Sequence, residues 1–182
     1  MLSVVGVGIA EGHITERGRK IIEEADVVYG SKKAIKIAKV NGKIIEKFCR
    51  ETYSKIEDEA KSKNVVVLST GDPMVSGLGL KLKADIIENG ISSVLVALSR
   101  LRLNLCEVIV VDCHNKDCLS EIKKALELRP VLVLTSKGFK LEIDGVKITV
   151  LENLFSNNEK IYNVSGKFVV ECNDTILLVQ KN

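Results

Sequence analysis

The residues best placed to do chemistry lie in Ser69-Thr70-Gly71-Asp72-Pro73, directly after the apolar run Val65-Val66-Val67-Leu68. Asp72 is a carboxylate set between a residue of unusual backbone freedom and a residue of fixed φ. Pro73 also pushes Asp72 towards an extended conformation. Loops at the carboxyl ends of strands are where open α/β sheets bind ligands, but Gly, Asp and Pro are equally the ordinary turn formers, so the stretch reads as a binding loop or as a plain turn. Gly6-Val7-Gly8 comes close to a dinucleotide fingerprint, but Gly12 arrives one position late for the third glycine. Ser92-Ser93 opens an apolar helical pattern. The two hydroxyls suit helix caps, and the amides at that end would attract a ligand's polar atoms. Cys113-His114 and Cys118 bring thiol and imidazole groups together, but the spacing matches no common zinc pattern and no fourth ligand is apparent. No metal is expected there, and buried small hydrophobes are the expected role of these cysteines.

These groups need elements to hold them. Val65–Leu68 and Leu2–Val7 are rich in β-branched residues, as strands buried on both faces of a parallel sheet should be. Thr15 caps a helix through Arg19 to Glu24, and Asp26–Tyr29 is a short strand. Gly30-Ser31 starts a second helix carrying Ala34, Ile35 and Ile37. Lys43–Lys47 reads as an edge strand and Glu51–Lys63 as a charged, solvated helix. Val75–Leu82 is expected to be helical, Asp85–Ile87 a strand, and Val94–Leu101 an amphipathic helix. Strand and helix alternate this far, which implies a mainly parallel sheet.

The segment Arg102–Glu107 lacks periodicity and marks a domain boundary. Beyond it come a strand (Val108–Asp112), a helix (Leu119–Leu128) and a strand (Val131–Leu134). Four further strands follow, over Phe139–Ile143, Lys147–Leu151, Gly166–Glu171 and Thr175–Gln180, with turns at Asp144-Gly145 and Asn173-Asp174.

Composition narrows the function classes. The chain has 182 residues, 46% hydrophobic and 28% charged, enough for a sizeable core. Aromatic residues are only 4%, with no Trp, which argues against stacking on single-stranded nucleic acid. The net charge is +3 with no long Lys/Arg run, which suits an anionic small molecule or an ordinary surface. The opening apolar run is short and lacks a basic flank, and no run reaches the length of a membrane span. The expected location is therefore cytoplasmic, with neither nucleic acid nor membrane as partner. The five cysteines, an odd number, argue against a disulfide framework in such a compartment.

Taken in order, several segments resemble the tetrapyrrole methylases, the class III fold of S-adenosylmethionine-dependent methyltransferases. They are Val5-Gly6-Val7-Gly8, Ala25–Ser31 (ADVVYGS), Leu68–Gly79 (LSTGDPMVSGLG), Gly90–Leu101 (GISSVLVALSRL) and Glu152-Asn153-Leu154. Within that family the likeness is to the branch that methylates corrinoid precursors on carbon in cobalamin biosynthesis. Four features depart from the family pattern. The first loop lacks Gly-Pro-Gly, Asn89-Gly90 replaces Pro-Gly, and His114-Asn115-Lys116 replaces His-Gly-Arg. No helix has room to follow Leu134-Thr135, because Phe139 arrives almost at once.

The resemblance implies a tetrapyrrole-methylase fold of two α/β domains, 1–104 and 105–182. The N-terminal sheet would be mainly parallel and the C-terminal sheet mixed and shortened, with S-adenosylmethionine folded into the cleft between the domains. It places Ile9, Asp72, Val75, Ser92, Ser93, Leu134 and Thr135 at the cofactor. Methyl transfer from a sulfonium needs alignment more than a strong nucleophile, and no catalytic residue is assigned. Asp72 could complement the sulfonium charge and His114 could accept a proton after methylation. Arg100 and Arg102 are candidates for the carboxylates of a corrinoid substrate. A homodimer and a separate C15-methyltransferase/decarboxylase partner are further expectations of the family. Diphthine-synthase-type or ribosomal-RNA-methylase-type activity, or a non-catalytic S-adenosylmethionine-binding module, are the alternatives.

Overall fold

Strands β1 (Leu2–Gly6), β2 (Val27–Gly30), β3 (Lys43–Ile44), β4 (Val65–Ser69) and β5 (Ile86–Glu88) alternate with helices α1 (Glu16–Glu23), α2 (Lys32–Ala38) and α3 (Arg50–Glu59). The computed structural model describes residues 1–114 and 116–182. Asn115, in the middle of the His-Asn-Lys departure, lies outside the described residues. Next come α4 (Ser93–Leu101), a 3-10 turn (Leu105–Glu107), β6 (Ile109–Asp112) and α5 (Leu119–Leu126). The chain closes with β7 (Val131–Thr135), β8 (Lys140–Glu152), β9 (Lys160–Val169) and β10 (Thr175–Lys181). It divides into two compact units, Met1–Ser93 and Val94–Asn182.

In the first unit the sheet order is β3-β2-β4-β1-β5, every pair parallel. Side chains alternate between two cores. Val4, Val65 and Val67 pack with Ile56 of α3 and with Leu82. Val5, Val66 and Leu68 pack on the other face with Ile22 of α1 and Ala34 of α2. Covering both faces is what demands uninterrupted apolar strands. Thr15 and Ser31 cap their helices as expected, accepting from the amides of Gly18 (2.8 Å) and Ala34 (3.1 Å).

Val75–Leu82 is not a helix. The segment folds back as successive turns, with the Gly79 amide donating to Pro73 O (2.9 Å) and the Leu78 amide to Ser69 Oγ (3.4 Å). A Cβ on Gly77 would lie 2.7 Å from Pro73 O, so the fold-back requires a glycine where an ordinary helix would not.

In the second unit the order is β6-β7-β10-β8-β9, with β6–β7 parallel and the other pairs antiparallel. Helix α5 buries Ile122 and Leu126 against Val111, Val133 and Leu177. The hairpin expected at Asp144-Gly145 does not form. β8 runs straight through, with a bulge against β9 between Glu142 and Lys147 and Gly145 at φ +70. No helix lies between β7 and β8, as the sequence spacing requires. Among the described residues no helix is long and apolar enough to cross a membrane.

Candidate functional site

In the first unit, β1 and β4 stay paired beyond their ends. The Val7 amide donates to Ser69 O (2.9 Å). Gly8 and Gly71 then exchange both backbone hydrogen bonds, at 3.1 and 2.8 Å, in an antiparallel bridge. Both glycines have φ +73, where other residues are strained. The end of β5 joins them closely: a Cβ on Gly90 would sit 2.3 Å from Gly71 O and 2.7 Å from Gly6 C. Three loops at the carboxyl ends of three neighbouring strands therefore meet backbone to backbone.

Asp72 fastens this cluster. Its Oδ1 accepts from the Met74 amide (2.7 Å) and its Oδ2 from the Gly90 amide (3.2 Å). The side chain thus ties the Gly-Asp-Pro loop to the end of β5 and, half-buried, shapes the loop before it can meet any ligand. Beside it the space at Gly71 is open: a Cβ there would meet only Ile9 Cγ2, at 3.9 Å. Ile9 and Val75 are half-buried, Ser92 is buried, and Ser93 begins α4. Ile9, Asp72, Val75, Ser92 and Ser93, separated in sequence, are thus all carried by loops at one edge of the sheet.

Two supports of this edge were not apparent in the sequence. Glu88, buried at the end of β5, accepts from Thr15 Oγ1 (2.8 Å) and pairs with Arg17 (3.3 Å), locking the start of α1 against that strand. Its signal was a lone charge in the apolar stretch Ile86-Ile87-Glu88. His13 is buried against Gly8, and burial pushes its imidazole below its usual range.

In the second unit the sequence candidates fare differently. Leu134 and Thr135 end β7 with both side chains in the core, and Thr135 Oγ1 donates to Thr175 O (3.0 Å). Leu134 O already accepts from the Cys113 amide (2.9 Å), so the accessible edge begins at Ser136. His114 is exposed, with Nδ1 2.7 Å from Asp112 Oδ1 and its amide donating to the same oxygen (3.0 Å). Arg100 is already engaged: it pairs with Glu159 (2.7 Å) and lies 4.6 Å from the Phe155 ring centroid. The Arg100 guanidinium, with the Phe155 amide, holds the Glu159 carboxyl below its usual range. Arg102 is exposed just past α4, at φ +54.

Cys113 and Cys118, expected as unbonded hydrophobes, form a disulfide across the loop from β6 to α5, with Cα atoms 5.8 Å apart. The odd cysteine count misled because parity says nothing of a single local pair. Cys49, Cys106 and Cys172 remain as thiols.

A parallel unit is thus followed by a mixed one, with glycine-bound loops at the strand ends of the first. The chain belongs to the tetrapyrrole (corrin/porphyrin) methylases, whose family model matches residues 1–164. A Methanocaldococcus jannaschii protein named "Probable cobalt-precorrin-7 C(5)-methyltransferase" is 32% identical, the match covering 98% of this chain and 96% of the relative. The crystal structure of the cobalamin-biosynthesis precorrin-6Y methylase from Archaeoglobus fulgidus superposes with a TM-score of 0.88 at 37% identity, covering 100% of this chain and 98% of that one. The Thermus thermophilus uroporphyrin-III C-methyltransferase complexed with S-adenosyl homocysteine shares the fold at 16% identity, with a TM-score of 0.74 over 98% of this chain and 96% of that one.

Proposed function

We propose that the chain is an S-adenosylmethionine-dependent C-methyltransferase of cobalamin biosynthesis that methylates carbon C5 of cobalt-precorrin-7. The observation that carries this reading is the likeness, over nearly the full length, to the Methanocaldococcus relative at 32% identity. The 37% identical methylase from Archaeoglobus supports it.

The loop cluster suits the cofactor chemically. The open space beside Gly71 would be filled by any side chain at that position, and it adjoins the apolar Ile9. Bound S-adenosylmethionine supplies a methyl group already activated on a sulfonium. The chain's own residues bind and orient. Ile9 and Val75 offer apolar walls, while Ser92, Ser93 and the first amides of α4 offer hydrogen bonds. Asp72 holds the loop and places a negative charge that favours a nearby cation. Alignment of this kind can lower a barrier by roughly 7 kcal/mol or more. Leu134 and Thr135 act only as support, since their side chains are core and the accessible edge of β7 begins at Ser136.

His114 is the proton acceptor in this reading. Its Nδ1 faces Asp112 Oδ1 at 2.7 Å, which leaves Nε2 as the ring atom to face a substrate. Arg102 remains a cation for substrate carboxylates. The active species is a cytoplasmic homodimer, and C15 methylation falls to a separate partner. Incubation with methyl-labelled S-adenosylmethionine and cobalt-precorrin-7 tests the proposal. Label should enter the corrinoid. Binding of NAD in place of S-adenosylhomocysteine, with no label transferred, would overturn it.

A further inference from the structure

The second unit contains a pocket of about 520 Å³, within the range of small-molecule sites. It is formed where β6 and β7 end in parallel, between the β6–α5 loop and the β7–β8 turn. Lys116, Lys137 and Lys140 line it, together with Ser136 and Phe139, and Cys113 forms part of its wall. None of the three ammonium groups has a carboxylate partner among the described residues.

Two carboxylates also line the pocket, against three ammonium groups, and one of the two is paired with a lysine outside it. Glu142 pairs with Lys167, and Asp117 accepts from the Leu119 amide (3.0 Å). Like charges gathered around a cavity repel one another, and an anion relieves that repulsion. Some surface lysines elsewhere in the chain do sit beside acids: Lys43 and Lys63 share Glu59, and Lys61 takes Asp58.

We infer that this pocket is a subsite for carboxylates, and that it receives acidic side chains of the corrinoid substrate through Lys116, Lys137 and Lys140. The inference rests on the proposed corrinoid methylation and adds to it a place for substrate charge within the second unit. Arg100, one of the two cations singled out from the sequence, is committed to Glu159, so the substrate's carboxylates need partners beyond Arg102. Phe139 gives the pocket an apolar side that suits the rim of a macrocycle.

The test compares wild type with a Lys116→Gln/Lys137→Gln/Lys140→Gln variant of the full chain. The probes are cobyrinic acid and its neutral methyl ester, titrated by calorimetry at low and at high salt. Melting temperature and S-adenosylhomocysteine affinity are read on the same samples and should not change. Cobyrinic acid should bind wild type and weaken with salt, the ester should not bind, and the variant should lose about tenfold or more in affinity for the acid. Equal binding of cobyrinic acid by variant and wild type overturns the subsite, as does ester binding as tight as acid binding. Methyl transfer to cobalt-precorrin-7 judges the underlying reading separately. Turnover that is indifferent to the three lysines overturns the subsite alone. Lysine-dependent binding of cobyrinic acid without turnover supports the subsite and overturns the methyltransferase reading.

Discussion

Asp72 serves its neighbours' amides first. The sequence shows a carboxylate held by Gly71 and Pro73, but the structure shows its oxygens taken by Met74 and by Gly90, which closes a different strand. Asp72→Ala would leave both amides without that acceptor, at a cost of about 2 kcal/mol. Asp72→Asn keeps one acceptor oxygen and should recover part of the loss. The expected outcome is a lower melting temperature together with weaker S-adenosylhomocysteine binding for the alanine variant. Early melting with normal binding would make the loop structural only. Gly90→Ala is the sharper disruption. Its Cβ would meet backbone at 2.3 Å, which cannot relax as a side chain can, so a loss of about 3 kcal/mol is expected in urea unfolding. Ser92 and Ser93 could be singled out from the sequence because they begin a helix, and Ile9 only through the family resemblance. The Asp72–Gly90 tie was not legible, because it joins residues whose nearness depends on β1 lying between their strands.

Strands buried on both faces announced themselves as apolar runs, and capped helices through Thr15 and Ser31. The failures came where local signals served a non-local purpose. Gly77 and Gly79 mark a chain folding onto Pro73 and Asp72, and Gly145 marks a bulge in one long strand instead of a hairpin turn. The disulfide lies in the loop between β6 and α5. Thiol labelling under denaturing, non-reducing conditions should modify Cys49, Cys106 and Cys172 only, with Cys113 and Cys118 reacting after reduction. Closing so short a loop should stabilise the fold by about 2 kcal/mol, seen as a drop in stability on reduction.

The end of α3 carries a pH-dependent element. Hydrogen bonds from Lys63 and Tyr29 hold the Glu59 carboxyl down from 4.5 to about 2. Its folded-state value lies below its unfolded one, so its stabilising effect is complete above the unfolded value and is lost as pH falls through the folded value. Unfolding followed between pH 5 and pH 2 should therefore show a loss in wild type that Glu59→Gln lacks over that window. Equal pH dependence in both proteins would contradict this.

For the whole molecule, the family likeness covers residues 1–164 and two differently built units. Segment order made the family legible from the sequence. The pocket lysines were not, because Lys116, Lys137 and Lys140 are scattered along the chain and gather only where β6 and β7 end together. Assembly belongs to this scale too. A symmetric homodimer, the commonest closed oligomer, is expected by light scattering, and a monomer at working concentration would count against it.

The central claim is methyl transfer to one ring carbon. The measurement is carbon-13 NMR of the corrinoid recovered after incubation of the protein with cobalt-precorrin-7 and S-adenosylmethionine labelled in its methyl group. A single new labelled methyl, attached at C5, is the predicted result. Label at another ring carbon, or an unlabelled corrinoid from protein that binds S-adenosylhomocysteine, would contradict it.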